Sequence, residues 1–164
     1  MGFDFMLGQN ELGQLLIYVL LLMLCVYLAW TDLCDRRIPN RVLLLGLMLT
    51  TLVTTVLFPS YPWFLRIVSG AVLTILFVSL SLFWPAAFGM GDAKLLGLLG
   101  YALGFRAFAF VLTAASLAAL VTTLYLLFFS RARSGSTLPF APFVAVGMLL
   151  LLLSFLLDFF YENY

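Results

Sequence analysis

The fold of this chain depends on residues 88–100, FGMGDAKLLGLLG, which place Asp92 between a two-glycine turn and an apolar run. The uncharged part of this region, residues 95–105, covers about 16 Å as a helix, which is only half of the roughly 30 Å hydrocarbon core of a bilayer. A helix that crosses a membrane here must therefore begin earlier and include Asp92 and Lys94. The sequence predicts that Asp92 lies at the edge of the hydrocarbon layer or inside it.

The composition is that of a membrane protein. Of the 164 residues, 65% are hydrophobic and 9% are charged, and the mean hydropathy is +1.20, well outside the range of soluble domains. Eight basic and seven acidic side chains give a formal net charge of +1. This balance offers no basic surplus for binding nucleic acid, so the predicted surroundings are the lipid bilayer and no nucleic-acid partner is expected.

Five further segments are long and uncharged, and each is predicted to form a membrane-spanning helix. Together with the helix that contains Asp92, they predict an all-α, polytopic membrane protein with six transmembrane helices in a single domain, residues 1–164. The N-terminal residues before the first segment include no lysine or arginine, unlike a cleavable signal peptide, so that segment is expected to be retained. The five segments are residues 13–30, 42–58, 67–84, 107–130 and 140–157.

The basic residues predict the direction of the helices. With six spans, one set of loops receives six of the eight cations, and the opposite side receives Arg66 and Arg106. Lysine and arginine accumulate in short cytoplasmic loops, so both termini are expected on the non-cytoplasmic side. Asp32, Asp35 and Asp92 would then share the cytoplasmic face. The six cations are Arg36, Arg37, Arg41, Lys94, Arg131 and Arg133.

Local signals agree with these boundaries. Pro39 cannot continue the first helix, and Asn40 is expected to cap the second helix by accepting a hydrogen bond from an amide in its first turn. Gly100 and Gly104 are predicted to form a face of small residues on the fourth helix, where a neighbouring helix can approach closely. A site-specific role for these two glycines is the alternative.

The available side chains restrict the chemistry. The chain has no histidine, which excludes a Ser-His-Asp triad, a Cys-His dyad and a His-Glu-x-x-His zinc site. Cys25 and Cys34 are too far apart in sequence for a Cys-x-x-Cys pair. We interpret Cys25 as a small apolar residue and Cys34 as a reduced thiol. Carboxylates are therefore the candidate catalytic groups.

Asp32 follows the first span and Asp92 opens the fourth, so the topology brings both carboxylates to one leaflet. If they lie a few ångströms apart, repulsion and desolvation favour a state in which they share one proton. An aspartic protease uses this state, because one carboxylate takes a proton from water while the other donates a proton to the scissile carbonyl. The alternative is two interfacial charges with no common task.

Several neighbours of this pair are candidates for supporting roles. Gly89 and Gly91 allow a sharp turn and leave room for an extended substrate backbone beside Asp92. Lys94 either tunes the pair electrostatically or extends its ammonium group to the interface. Asp35 either contributes a third acid or pairs with a nearby arginine in the headgroup region.

Three stretches together resemble the type IV prepilin peptidase family, which consists of aspartic membrane proteases with a Gly-x-Gly-Asp motif. They are TDLCDRRIPN at 31–40, GMGDAKLLGLLG at 89–100 and LPFAPFVAVG at 138–147. The resemblance implies that Asp32 and Asp92 are catalytic. It also implies supporting or substrate-binding roles for Pro39 and Asn40 of the first stretch and for Gly89, Gly91 and Lys94 of the second.

The resemblance also implies an activity. Members of this family remove a short basic leader from type IV pilin-like precursors at the cytoplasmic face of the bacterial inner membrane, without a metal or other cofactor. Longer members carry an additional N-terminal half with cysteine pairs and methylate the new pilin N-terminus. Only a few polar residues precede the first span here, so the chain resembles the short, peptidase-only form of Flp/Tad-type pilus systems, and methyltransferase activity is not expected.

Three other functions fit the same residues. The intramembrane aspartates could form the relay of a proton-coupled transporter, although no inverted repeat supports this. Asp32, Asp35 and Asp92 could hold a divalent metal in a phosphotransferase. The chain could also be a non-enzymatic pilus-assembly scaffold, in which replacement of either aspartate would leave function intact. The sequence identifies neither the pilin nor the oligomeric state.

Overall fold

The computed structural model describes residues 11–58, 63–84, 89–129 and 139–163, and every regular element in these ranges is an α-helix. All five helices are long and apolar enough to cross a membrane, so the chain is a multi-pass helical membrane protein. The five helices are α1 (Glu11–Asp35), α2 (Asn40–Leu57), α3 (Trp63–Phe83), α4 (Met90–Phe129) and α5 (Ala141–Asn163).

The expected count of six spans is not confirmed, because the predicted fourth and fifth helices belong to the 40-residue element α4. Gly104 interrupts it with φ 71° and ψ 175°, a conformation outside the helical range that favours glycine. The chain therefore changes direction between two helical segments, residues 90–103 and 105–129. The orientation of the termini stays a prediction.

The first segment of α4 packs antiparallel to α3, with small residues at the contact. A Cβ atom on Gly70 would lie 2.7 Å from the Cβ of Tyr101, and one on Gly97 would collide with Thr74. Gly100 lies against Leu73, as the predicted small face requires. That face does not extend to Gly104, because Gly104 ends the helical segment.

The core includes residues of all five helices, and most of them come from α1, α4 and α5. Leu21, Cys25 and Leu28 of α1 are fully buried, as are Val111 of α4 and Met148 of α5. The burial of Cys25 agrees with its interpretation as a small apolar residue, and Cys34 is exposed. Most side chains on the outer surface are large and apolar, which suits contact with lipid.

A polar cluster is buried where α2 meets α3. Arg66 was expected in a connection between spans, but it lies in the first turn of α3 and is only 1% exposed. Its Nη1 atom donates a hydrogen bond to Oγ1 of Thr54, 2.8 Å away. The Thr54 hydroxyl in turn donates to the carbonyl oxygen of Thr50. A charge in a hydrocarbon environment is stable only with such partners.

Candidate active site

Asp32 lies in the last turn of α1, with 8% of its surface exposed. Its Oδ2 atom accepts a hydrogen bond from the backbone amide of Ala141, 3.3 Å away. Ala141 is the first residue of α5, where backbone amides have no partner within their own helix. The start of α5 therefore holds Asp32 through a neutral backbone donor.

The chain turns sharply after Asp32. Arg36 adopts a left-handed conformation, φ 51°, and its amide donates to the carbonyl oxygen of Asp32 at 3.1 Å, which ends α1. Pro39 precedes the first residue of α2, so the prediction that Asn40 caps this helix is wrong. The Asn40 side chain accepts a hydrogen bond from Nζ of Lys94 instead, at 3.0 Å.

Asp92 is the third residue of α4 and is partly buried. The amide of Ala93 donates to the carbonyl oxygen of Gly89 at 3.2 Å, which places Gly89 at the start of the helix. The Asp92 carboxylate folds back and accepts a hydrogen bond from the Gly89 amide. This contact corresponds to one half of a capping box, in which the acid three residues after the N-cap residue bonds back to its amide. It explains locally why position 92, three residues after Gly89, carries an acid.

The structure brings Asp32 and Asp92 together. Asp32, at the end of α1, is near enough to interact electrostatically with the Asp92 carboxyl group at the start of α4. Two carboxylates in this arrangement can share a proton, and each also has a backbone amide that fixes one of its oxygens. The arrangement can perform acid-base chemistry on a polar group placed between them.

Asp35 lies outside this pair. It is exposed and lines a polar cleft of about 710 Å³ together with Tyr27, Thr31 and Arg37. Within the described ranges, no group of three or more histidine, cysteine or acidic side chains is arranged to hold a metal ion. Asp35 therefore does not join Asp32 and Asp92 in a group of this kind.

The two glycines of the motif accommodate different neighbours. A Cβ atom on Gly89 would lie 3.1 Å from Oδ2 of Asp92, so a side chain there would press on the carboxylate itself. A Cβ atom on Gly91 would lie 3.0 Å from the Cβ of Ile38, in the connection between α1 and α2. The Ile38–Gly91 contact therefore holds this connection against the start of α4.

Lys94 is exposed and does not face Asp92. Residues two positions apart on an α-helix are rotated by about 200°, so these side chains lie on nearly opposite faces of α4. Its ammonium group bonds to Asn40 at the edge of the bundle, as expected for a lysine that extends to the interface.

These features define the class of the protein: a multi-pass helical membrane protein with two opposed carboxylates at one end of its bundle. The model of the type IV leader peptidase family matches residues 19–124, which is more than half of the chain and includes both aspartates. The chain belongs to this family, and its role is that of a membrane peptidase of the leader-peptidase kind. No curated protein and no solved structure matches the chain.

Sequence reasoning did not predict the contacts of two residues of this site, although Ile38 belongs to the motif that follows Asp32. Ala141 contributes its amide to Asp32, and Ile38 fills the space beside Gly91. Both lie in stretches that carry the family resemblance, residues 138–147 and 31–40, so the signal was present. It could not be interpreted from composition, because one contact uses a backbone atom and the other an ordinary apolar side chain.

Proposed function

We propose that the chain is an aspartic endopeptidase that removes the short basic leader from type IV pilin-like precursors, with Asp32 and Asp92 as its catalytic pair. The family match supports the leader-peptidase role. The observation that carries the catalytic assignment is that Asp32 and Asp92, 60 positions apart in sequence, are close enough to interact electrostatically.

The pair acts on water and on the scissile carbonyl. The ionised carboxylate takes a proton from the attacking water, and the protonated one donates its proton to the carbonyl oxygen. In the second step the leaving nitrogen takes a proton from the first carboxyl group as the C–N bond breaks. The second carboxylate recovers a proton from the intermediate, which restores the starting state of the pair.

The surrounding residues position this pair. The Gly89 and Ala141 amides each fix one carboxylate, and the Ile38–Gly91 contact sets the distance between the helices that carry them. Pro39 and Asn40 have a supporting role, because Pro39 directs the chain into α2 and Asn40 joins it to Lys94 of α4.

The membrane supplies the rest of the specificity. The apolar helix of the precursor lies in the bilayer, and its basic leader stays in the cytosol, so the bond between them is held at the depth of the aspartates. We place the reaction at the cytoplasmic face of a bacterial inner membrane, with both termini of the peptidase on the other side. The chemistry is limited to hydrolysis, without methylation of the new N-terminus.

The test is cleavage of a pilin precursor by purified protein in liposomes, with the product mass as readout and a chelator present. Wild type is expected to release the leader, and Asp32→Asn and Asp92→Asn are each expected to be inactive. Asp35→Asn is the matched control, because Asp35 is an exposed acid one turn from Asp32. It is expected to cleave at close to the wild-type rate.

The alternatives give different results. If Asp32→Asn or Asp92→Asn cleaves normally, the proposed pair is wrong. If wild type cleaves no precursor but carries an acid-dependent flux into sealed vesicles, the aspartates serve a proton-coupled transporter instead.

A further inference from the structure

A groove separates α2 from α3 on the outside of the bundle. Over the described residues, both helices pack on α4, and a gap separates them except near the Arg66–Thr54 hydrogen bond. The resulting space, which we call the α2/α3 groove, has a volume of about 560 Å³. Its ends are polar and its walls are mainly apolar. It is bounded by Asn40 and Lys94 at one end, Thr51 and Tyr101 at the other, and Leu47 and Ile67 along the walls.

We propose that the α2/α3 groove binds one anionic phospholipid, with the phosphate at Lys94 and an acyl chain along α4 towards Tyr101. This site is separate from the aspartate pair. It does not depend on the proposed peptidase function.

The polar end of the groove suits a phosphate group. A lysine ammonium group has three donors, and Lys94 uses one of them on Oδ1 of Asn40. Lys94 is exposed at the end of the groove, where the polar end meets an apolar channel. A ligand with one anionic head and an apolar tail is complementary to this distribution of charge.

The far end is closed by a polar contact that needs no ligand. The hydroxyl groups of Thr51 and Tyr101 are 3.0 Å apart and bond to each other. Their hydrogen-bonding capacity is therefore met in part within the protein, and the apolar tail ends against a contact between α2 and α4. Among the described residues that line the groove, Lys94 is the charged one.

The length of the groove suits an acyl chain. Asn40 and Thr51 are eleven positions apart on α2, which corresponds to about 16 Å. The groove therefore runs along about half of a hydrocarbon core of roughly 30 Å, the depth of one leaflet. An extended hydrocarbon chain can lie along this length between α2 and α3.

The direction of the groove argues against the helix of a substrate. Lys94 lines the groove and Asp92 belongs to the candidate active site. The two residues lie on nearly opposite faces of α4. A helix in the groove would have to carry its scissile bond around the start of α4. A lipid has no such requirement.

The test uses protein in mixed micelles that contain equal amounts of phosphatidylglycerol and phosphatidylcholine, with native mass spectrometry to count bound lipids. One interaction of a lysine with an anionic headgroup corresponds to a preference of about fivefold. Wild type is expected to retain one phosphatidylglycerol with at least this preference, and Lys94→Gln is expected to lose the preference. Arg41→Gln is the matched control, because Arg41 is also exposed near the start of α2 but does not line the groove.

A second pair of variants tests the acyl chain. Ala71→Phe fills the groove from its α3 wall and is expected to abolish lipid retention. Val72→Phe adds the same side chain at an exposed neighbouring position that does not line the groove, and retention is expected to persist. Circular dichroism and gel filtration report whether each variant has folded.

Three results would overturn the proposal. Equal retention of both lipids by wild type removes the headgroup preference, and an unchanged preference in Lys94→Gln removes the role of the lysine. Displacement of phosphatidylglycerol by an uncharged leucine-rich transmembrane peptide, but not by excess phosphatidylglycerol of another chain length, would make the groove a helix-binding site.

Discussion

Oδ2 of Asp32, at the end of α1, accepts a hydrogen bond from the backbone amide of Ala141, the first residue of α5. This contact joins two residues that are 109 positions apart in sequence, and it fixes one oxygen of a buried carboxylate. It gives the start of α5 a direct structural connection to the candidate active site. Changes at Ala141 should therefore affect catalysis as well as packing.

Ala141→Val should lower kcat by about tenfold and leave KM nearly unchanged. Ala141 is fully buried, so a larger side chain moves the start of α5 and weakens a hydrogen bond to a charged group that is worth roughly 1.5–3 kcal/mol. The measurement is the rate of leader cleavage at several substrate concentrations. Ala141→Gly keeps the amide and adds no volume, so its kcat should stay within about threefold of wild type. Equal losses in both variants would contradict this role of the amide.

Gly91→Ala and Gly89→Ala should both slow cleavage, but only the first should be restored by a change at Ile38. The new Cβ at position 91 lies 3.0 Å from the Cβ of Ile38 and 3.3 Å from its Cγ1, whereas the new Cβ at position 89 presses on Asp92. Ile38→Ala keeps the Cβ of Ile38 but removes all atoms beyond it, including the two contacting atoms Cγ1 and Cδ1, so it should recover part of the activity of Gly91→Ala.

The two double variants are compared by cleavage rate in one double-mutant cycle each. A coupling energy is expected for the pair at 91 and 38, and none for the pair at 89 and 38. Coupling of equal size in both pairs would show that Ile38 does not act through Gly91.

Gly147→Ala should destabilise the protein more than Gly46→Ala. A Cβ at position 147 would lie 2.5 Å from the backbone carbonyl oxygen of Val111, which cannot move without its helix. A Cβ at position 46 meets the end of the flexible Leu24 side chain at 2.7 Å. Overpacking of this kind costs about 1–3 kcal/mol when the neighbour is rigid. Thermal unfolding in detergent measures the difference, and equal shifts in Tm would contradict the assigned contacts.

Thr54→Val should lower the thermal stability by removing an acceptor from a buried charge. Oγ1 of Thr54 accepts from Nη1 of Arg66, and loss of one partner of a buried charged group costs roughly 1–3 kcal/mol or more. Thr55→Val is the matched control on the same helix, since Thr55 is exposed and its hydroxyl donates to the carbonyl oxygen of Thr51. A Tm for Thr54→Val as high as that of Thr55→Val would contradict the role given to Thr54.

The sequence predicted the helical class and the placement of two acids at one side of the membrane because both follow from simple constraints. Apolar segments of sufficient length must be helices in a bilayer, and Asp32 and Asp92 end up at one side when the intervening spans are counted. The acid at position 92 could also be assigned to a helix start, since a short apolar run required an earlier beginning.

Other features depend on contacts that a linear pattern does not contain. Gly104 has the same spacing from Gly100 as a helix-packing glycine, and only the three-dimensional path shows that it breaks the helix. Arg66 directly precedes the predicted apolar segment 67–84. In the structure it is buried and bonds to Thr54, twelve positions earlier. Asn40 has the right residue type for a cap, but Lys94 competes for its side chain.

The central claim is that Asp32 and Asp92 act as one catalytic unit, and the most direct test is the residual cleavage rate of Asp32→Asn, Asp92→Asn and the double variant. Each single variant should lose at least about 1,000-fold in kcat, and the double variant should lose no more than the worse of the two, because groups that act together are not additive. A double variant whose loss equals the product of the two single losses, or a single variant that still cleaves at the wild-type rate, would contradict the account.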